Sequence, residues 1–183
     1  MSGPISIRRR PAVAAAIVVS LAVVPLGCKR HKAKVVLTTE EAPALATVVA
    51  TADPHMATQL VNGFYGVEQN AWRWTTGRFS VVLRPPPSAA TKGATLQLKF
   101  AIPDVAMSKY KTVSLSGYVN GTALSPQSYT QAGPCTYSRD VPANLFSGDV
   151  ARVDFSVDKT MPPTPADSRE LGVVVSVVGF EPK

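Results

Sequence analysis

Apolar and polar residues alternate one for one along much of this chain, in short runs separated by turn-forming residues. Successive side chains of a β-strand point to opposite faces, so a run of this kind buries one face and wets the other. In Thr95–Phe100 the alternation places Leu96, Leu98 and Phe100 together; in the run after Gly77 it places Phe79, Val81 and Leu83 opposite Arg78, Ser80, Val82 and Arg84. Ala151, Val153, Phe155 and Val157 likewise oppose Val150, Arg152, Asp154 and Ser156, and Val113, Leu115 and Gly117 share a face. Asn120-Gly121 follows Val119 and predicts a hairpin turn to Thr122–Leu124, because both central residues of that turn need positive φ. Runs at Pro126–Thr130 and Cys135–Val141 follow, and the last, Leu171–Phe180, is almost wholly apolar and predicts a central strand buried on both faces. About eight to ten short strands at steady spacing argue for an all-β, single antiparallel β-sandwich.

The densest stretch runs from Gly63 to Arg84 and holds both tryptophans, three arginines and Glu68. Trp72 and Trp74 are two apart and share a strand face, with Arg73 on the other. The stretch reads as a hairpin-like element, broken at Thr76-Gly77, around which the remaining strands wrap. Before it, Ala44–Ala52 reads as a strand. Asp53-Pro54 then signals a short helix over 56–61, since Asp caps and Pro is tolerated at the first helical position; Asn62-Gly63 ends it. Pro85–Pro87 is a rigid turn, and Ile102-Pro103-Asp104 closes the Thr95 strand.

The formal charge of +7 is an N-terminal property. Seven of the 19 basic residues lie within the first 34, and beyond them 12 basic residues balance 12 acidic ones. A folded part with no basic stripe argues against nucleic-acid binding. Arg8, Arg9 and Arg10 precede a run from Pro11 to Gly27 whose sole polar side chain is Ser20, the layout of a secretory signal. Pro25-Leu26-Gly27-Cys28, followed by Lys29-Arg30-His31-Lys32, resembles a bacterial lipoprotein signal. That resemblance implies cleavage before Cys28 and lipidation of it with a diacylglyceryl group and acyl chains such as palmitate. Residues 1–27 would then be a signal peptide, 28–43 a lipidated tether and 44–183 the sandwich domain. The protein would be exported and held to the cell envelope, at the periplasmic face or the cell surface. The usual lipobox has Leu and a small residue where Pro25 and Leu26 stand; Gly27 fits. The residues by themselves also allow an ordinary signal peptide or an uncleaved anchor, the latter short of the ~20 apolar residues that span a bilayer core.

Catalysis needs a base, a nucleophile or a metal cluster. His31 and His55 have no second ligand at metal-site spacing, and neither a nucleophile elbow nor a phosphate-cradling glycine loop occurs. Cys135 has no suggested base and reads as a buried strand-start residue or an exposed free thiol. Asp149 and Asp154 fall on opposite strand faces, so they do not form an acid pair. No catalytic residue, metal or cofactor is expected, and the chain reads as a non-enzyme.

Two groups remain: Glu68 with Trp72, Arg73 and Trp74, and Asp167 with Arg169, just before the last strand. Aromatic faces flanked by planar charged groups hold sugars by stacking and bidentate hydrogen bonds. The same residues can instead make an internal lock, a tryptophan filling the sandwich and Arg73 or Arg169 paired to Glu68 or Asp167. Gly63-Phe-Tyr-Gly-Val-Glu68, Trp72-Arg-Trp74 and Asp167-x-Arg-Glu-Leu-Gly172 resemble landmarks of jelly-roll, carbohydrate-binding-like domains found in bacterial lipoproteins and surface-glycan enzymes. The resemblance implies a non-catalytic jelly-roll sandwich with one short helix that binds a polysaccharide or a glycan-handling envelope protein. A purely structural envelope lipoprotein is the alternative, and exposure of the two tryptophans separates the readings.

Overall fold

The computed structural model describes residues 44–183. The signal segment, Cys28 and the tether to residue 43 lie outside the described residues.

Among the described residues ten strands pair in one continuous antiparallel sheet that curls on itself. They are β1 (Val48–Ala50), β2 (Leu60–Glu68), β3 (Trp72–Leu83), β4 (Ala94–Ile102), β5 (Val113–Val119), β6 (Thr122–Ala123), β7 (Gln127–Tyr129), β8 (Gly133–Val141), β9 (Ala151–Val157) and β10 (Val174–Pro182). The main order is β6-β5-β9-β3-β10-β4-β8, with β1 on β10, β2 on β3 and β7 on β5. The all-β sandwich expected from the alternation is the architecture observed.

β3 makes the corner. One edge carries β2; the other bonds β10 through Arg73 and Trp74, then β9 from Arg78 to Leu83. Its two halves thus serve different layers, which is how a twisted strand closes a sandwich. Thr76-Gly77 does not end the strand but is where it changes partner, and Thr75, fully buried, exchanges backbone bonds there with Val173 (2.9 Å) and Gly172 (2.7 Å).

The interior is filled by the alternating residues. Phe79, Val81, Leu83, Leu96, Leu98, Leu115, Val153 and Phe155 are all buried. Phe79 stacks on its cross-strand partner Phe155 at 5.0 Å, and Tyr137 of β8 meets Phe155 edge-on at 6.2 Å from across the core. Gly117 of β5 makes room for Tyr137, since a Cβ there would lie 3.0 Å from the ring. β8 is the last strand on the path, yet side chains lace its free edge to the β6–β7 segment. Arg139 donates to the carbonyls of Ser125 (2.8 Å) and Pro126 (3.0 Å), Tyr137 to Ser125 (3.0 Å), and Tyr129 to Thr136 (3.0 Å).

Several local expectations are corrected. The Ala44–Ala52 run contributes only Val48–Ala50, because Ala46 is instead held by the buried amide of Gln59, which accepts from Ala46 N–H (2.8 Å) and donates to the Ala46 and Val82 carbonyls (3.0 and 2.7 Å). Asp53 does cap a short helix, a 3₁₀ helix over Pro54–Gln59, but Asn62-Gly63 does not end it and lies inside β2. Gly63 has φ +76° and a Cβ there would collide with the Arg78 carbonyl, so the glycine marks a bulge rather than a helix stop. One short helix was expected; Ala89–Lys92 (α1) and Asp104–Tyr110 (α2) are both helical, with a further 3₁₀ turn at Ala143–Leu145. α2 is too short to show a period, and it buries only Ala106 and Met107. β10 is central but not buried on both faces: Val175, Val178 and Phe180 point inward, while Val174, Ser176 and Val177 are partly exposed, a bulge at Ser176 resetting the alternation.

Candidate functional site

The β2–β3 hairpin turns at Gln69-Asn70, whose φ values of 51° and 53° and Ala71 N–H to Glu68 carbonyl bond (3.1 Å) make a type I′ geometry. The turn sets the register Glu68↔Trp72, and directly paired residues share a face. Trp74 pairs with Val174 of β10, Val174 with Ala101 of β4, and Ala101 with Pro134 of β8. One row therefore crosses four strands on the outside of the sheet, with two indole rings at one end and small apolar side chains beyond them.

The rings meet edge to face, 6.3 Å apart at 84°. Each is partly exposed and neither belongs to the buried core. They form a ledge, not a plug.

Arg73, between them, points to the other side, where it donates to the carbonyls of Thr51 (2.6 Å) and Tyr65 (2.9 Å). It pins the β1 end and β2 to β3 and does not join the other candidates.

Arg169, Asp167 and Glu68 do come together. The Arg169 guanidinium clasps Asp167 through Nε (3.0 and 3.2 Å) and Nη2 (2.8 Å), and reaches Glu68 Oε1 through Nη1 at 2.8 Å. The Arg169 backbone N–H also donates to Asp167 Oδ1 at 3.0 Å. These bonds hold the Asp167 carboxyl down at about 2 and push the Arg169 guanidinium up. Arg169 lies 5.2 Å from the centre of the Tyr65 ring, whose hydroxyl donates to the Glu170 carbonyl (2.8 Å). The loop before β10 is thereby fastened to the β2–β3 hairpin, and Glu68 is held beside Trp72 with Oε2 free of protein partners among the described residues.

Sequence reasoning missed Tyr65 as the seat of Arg169, and it missed Val174, Ala101 and Pro134 as the continuation of the tryptophan row. Tyr65 lies within the Gly63–Glu68 motif, and alternation alone puts Trp72 and Trp74 on one face. Nothing in the sequence orders β3, β10, β4 and β8 as neighbours.

The residues set aside on sequence grounds do not converge either. Asp154 is held by Arg152 (2.9 Å), whereas Asp158 accepts from Ser114 N–H (2.7 Å). Cys135 is partly buried with its thiol pushed up by that burial, and no group of His, Cys, Asp and Glu among the described residues could hold a metal ion.

No protein-family model matches the chain, and no curated protein matches it. Some solved structures are similar in shape. The CBM36-1 domain of a multidomain xylanase from the hindgut metagenome of Trinervitermes trinervoides is 12% identical with a TM-score of 0.44, covering 75% of this chain and 97% of that one. An acetyl xylan esterase, Est2A, from the rumen bacterium Butyrivibrio proteoclasticus is 11% identical with a TM-score of 0.43, covering 76% of this chain and 34% of that one. The CBM51-2 domain with its INT domains from Clostridium perfringens ZmpB, solved in complex with GlcNAc, is 12% identical with a TM-score of 0.35, covering 74% of this chain and 28% of that one. Likenesses this distant say nothing of what this chain binds; its sandwich stands on its own strand pairing.

Proposed function

We propose that this chain is a non-catalytic, carbohydrate-binding protein of the bacterial envelope, lipid-anchored through Cys28, with Trp72 and Trp74 as its sugar platform. The observation that carries this reading is the position of the two tryptophans: both sit outside the core, on one face, beside a carboxylate already held in place. An indole ring stacks on the apolar face of a pyranose, and the carboxylate accepts from hydroxyls at its rim. Because Arg169 already orders Glu68, binding does not have to fix that side chain afresh. Val174, Ala101 and Pro134 extend the surface with small side chains, which suits a chain of sugar units better than a single one. The anchor rests on the sequence pattern at Cys28.

The test is titration of the full chain with a panel of bacterial and plant polysaccharides, followed by tryptophan fluorescence. The expected result is a saturable, sugar-specific shift that Trp72→Ala or Trp74→Ala abolishes while the circular dichroism spectrum is retained. Silence across the panel would overturn the sugar platform, and recovery of the protein in the cytosolic fraction of cells would overturn the anchor.

One observation favours a second reading. Val48 is 46% exposed at the β1 edge of the same sheet, so the tryptophan row and Val48 together also fit an apolar docking surface for another envelope protein.

A further inference from the structure

The outer surface of the other layer is concave and polar. There β2, β3, β9 and β5 bring Asn62, Ser80, Asp154 and Tyr118 into one cross-strand row. The row lines a cleft of about 410 Å³, flanked by Arg78 and Arg152. Ser80 forms part of its floor and is only 2% exposed although it belongs to the outward-facing set of β3. Arg152 is committed: Nε forks onto Asp154 (2.9 and 3.1 Å) and Nη2 reaches Ser80 Oγ (3.3 Å). Arg78 is not. It is exposed, and among the described residues its guanidinium has no acceptor. Two guanidinium groups and one carboxylate line this cleft, while Asp158 and Glu170 line the neighbouring one that shares Arg78 and Asn62.

We propose that this cleft is a second ligand site and that it takes an acidic saccharide, a chain bearing uronic-acid carboxylates. Arg78 supplies the fork that a carboxylate fits bidentately. Asn62 and Asp154 present the mixed donors and acceptors that ring hydroxyls need, above a floor formed by Ser80, and Tyr118 offers a partly exposed ring for stacking. A simple anion would satisfy Arg78 and leave the polar row unused. The site shares no residue with the tryptophan ledge: Ser80 is six residues beyond Trp74 along β3, about 20 Å at strand rise. It therefore stands or falls separately from the platform reading.

The test is calorimetric titration of the full chain with oligogalacturonate, with oligomannuronate, with the methyl ester of oligogalacturonate, and with inorganic sulfate. Saturable binding of at least one uronate is expected. It should weaken roughly tenfold or more in Arg78→Gln, as loss of a charge-assisted contact predicts, and likewise on esterification, which removes the charge and keeps the ring. Tyr118→Ala should weaken it further, and the Trp72→Ala/Trp74→Ala double variant should leave it unchanged. Arg78 is a surface residue, so its variant keeps the fold. No binding of either uronate would overturn the proposal, as would affinity unmoved by Arg78→Gln, equal affinity for sulfate, or loss of uronate binding in the double tryptophan variant.

Discussion

Arg169 shows how one side chain joins distant stretches. It bonds Asp167 two residues away and Glu68 across 101 positions, and it faces the Tyr65 ring. Exposed ion pairs contribute little on average, but a bidentate guanidinium shared between two carboxylates is the geometry in which they matter. Asp167 has its carboxyl lowered to about 2, first by the hydrogen bonds from Arg169. A depressed carboxyl contributes stability above its unfolded value, and that contribution is lost as the pH falls through about 2. Carbon-detected NMR titration should therefore place the Asp167 midpoint near 2, and Arg169→Gln should return it toward the ordinary 3.8. A midpoint near 4 in the unmodified protein would mean that the clasp is open in solution.

At the scale of elements, register decides which residues meet. Leu98 of β4 lies between Val178 of β10 and Tyr137 of β8, all three buried. Leu98→Ala should cost about 2–5 kcal/mol in chemical denaturation, the loss of a filled core position. A loss under ~0.5 kcal/mol would show that β4 is slipped by one residue, because such a slip exchanges its two faces. This face was legible from Thr95–Phe100 alone, as were the turn at Asn120-Gly121 and the inward face of β9. Where the register shifts the alternation misleads: Ser176 is an extra residue in β10, and opposite the single Gly63 of β2 it is β3 that carries the surplus, residues 76–79.

For the molecule as a whole, closure rests partly on side chains. β8 has backbone bonds to β4 along one edge, and Arg139, Tyr137 and Tyr129 lace its other edge to the segment from Ser125 to Tyr129. An unlaced edge strand is a template for pairing with another chain. Arg139→Ala should speed amide hydrogen exchange in β8 selectively and raise the share of dimer in size-exclusion chromatography. Exchange in β8 unchanged from the parent would show that the arginine is ornamental there and that Tyr129 and Tyr137 suffice.

What the sequence determined by itself is what depends on near neighbours along the chain. Alternation marked the buried faces, Gly, Asn and Pro marked the turns, and Trp72 and Trp74 were placed on one side of one strand. The order of strands in space, the corner at Thr75–Gly77 and the partners of Arg73 and Arg169 were decided only in three dimensions. The physical reason is that these contacts join residues far apart in sequence, as Glu68 and Arg169 are, or Thr51 and Val175 at 124 positions. No local propensity encodes such a pairing; it arises when the interior of two layers is filled at once. Sequence reasoning could offer a lock or a ledge for the same six residues. The fold makes both: Arg169, Asp167 and Glu68 are the lock, Arg73 braces the backbone, and the tryptophans are the ledge because their face of β3 lies outside the core.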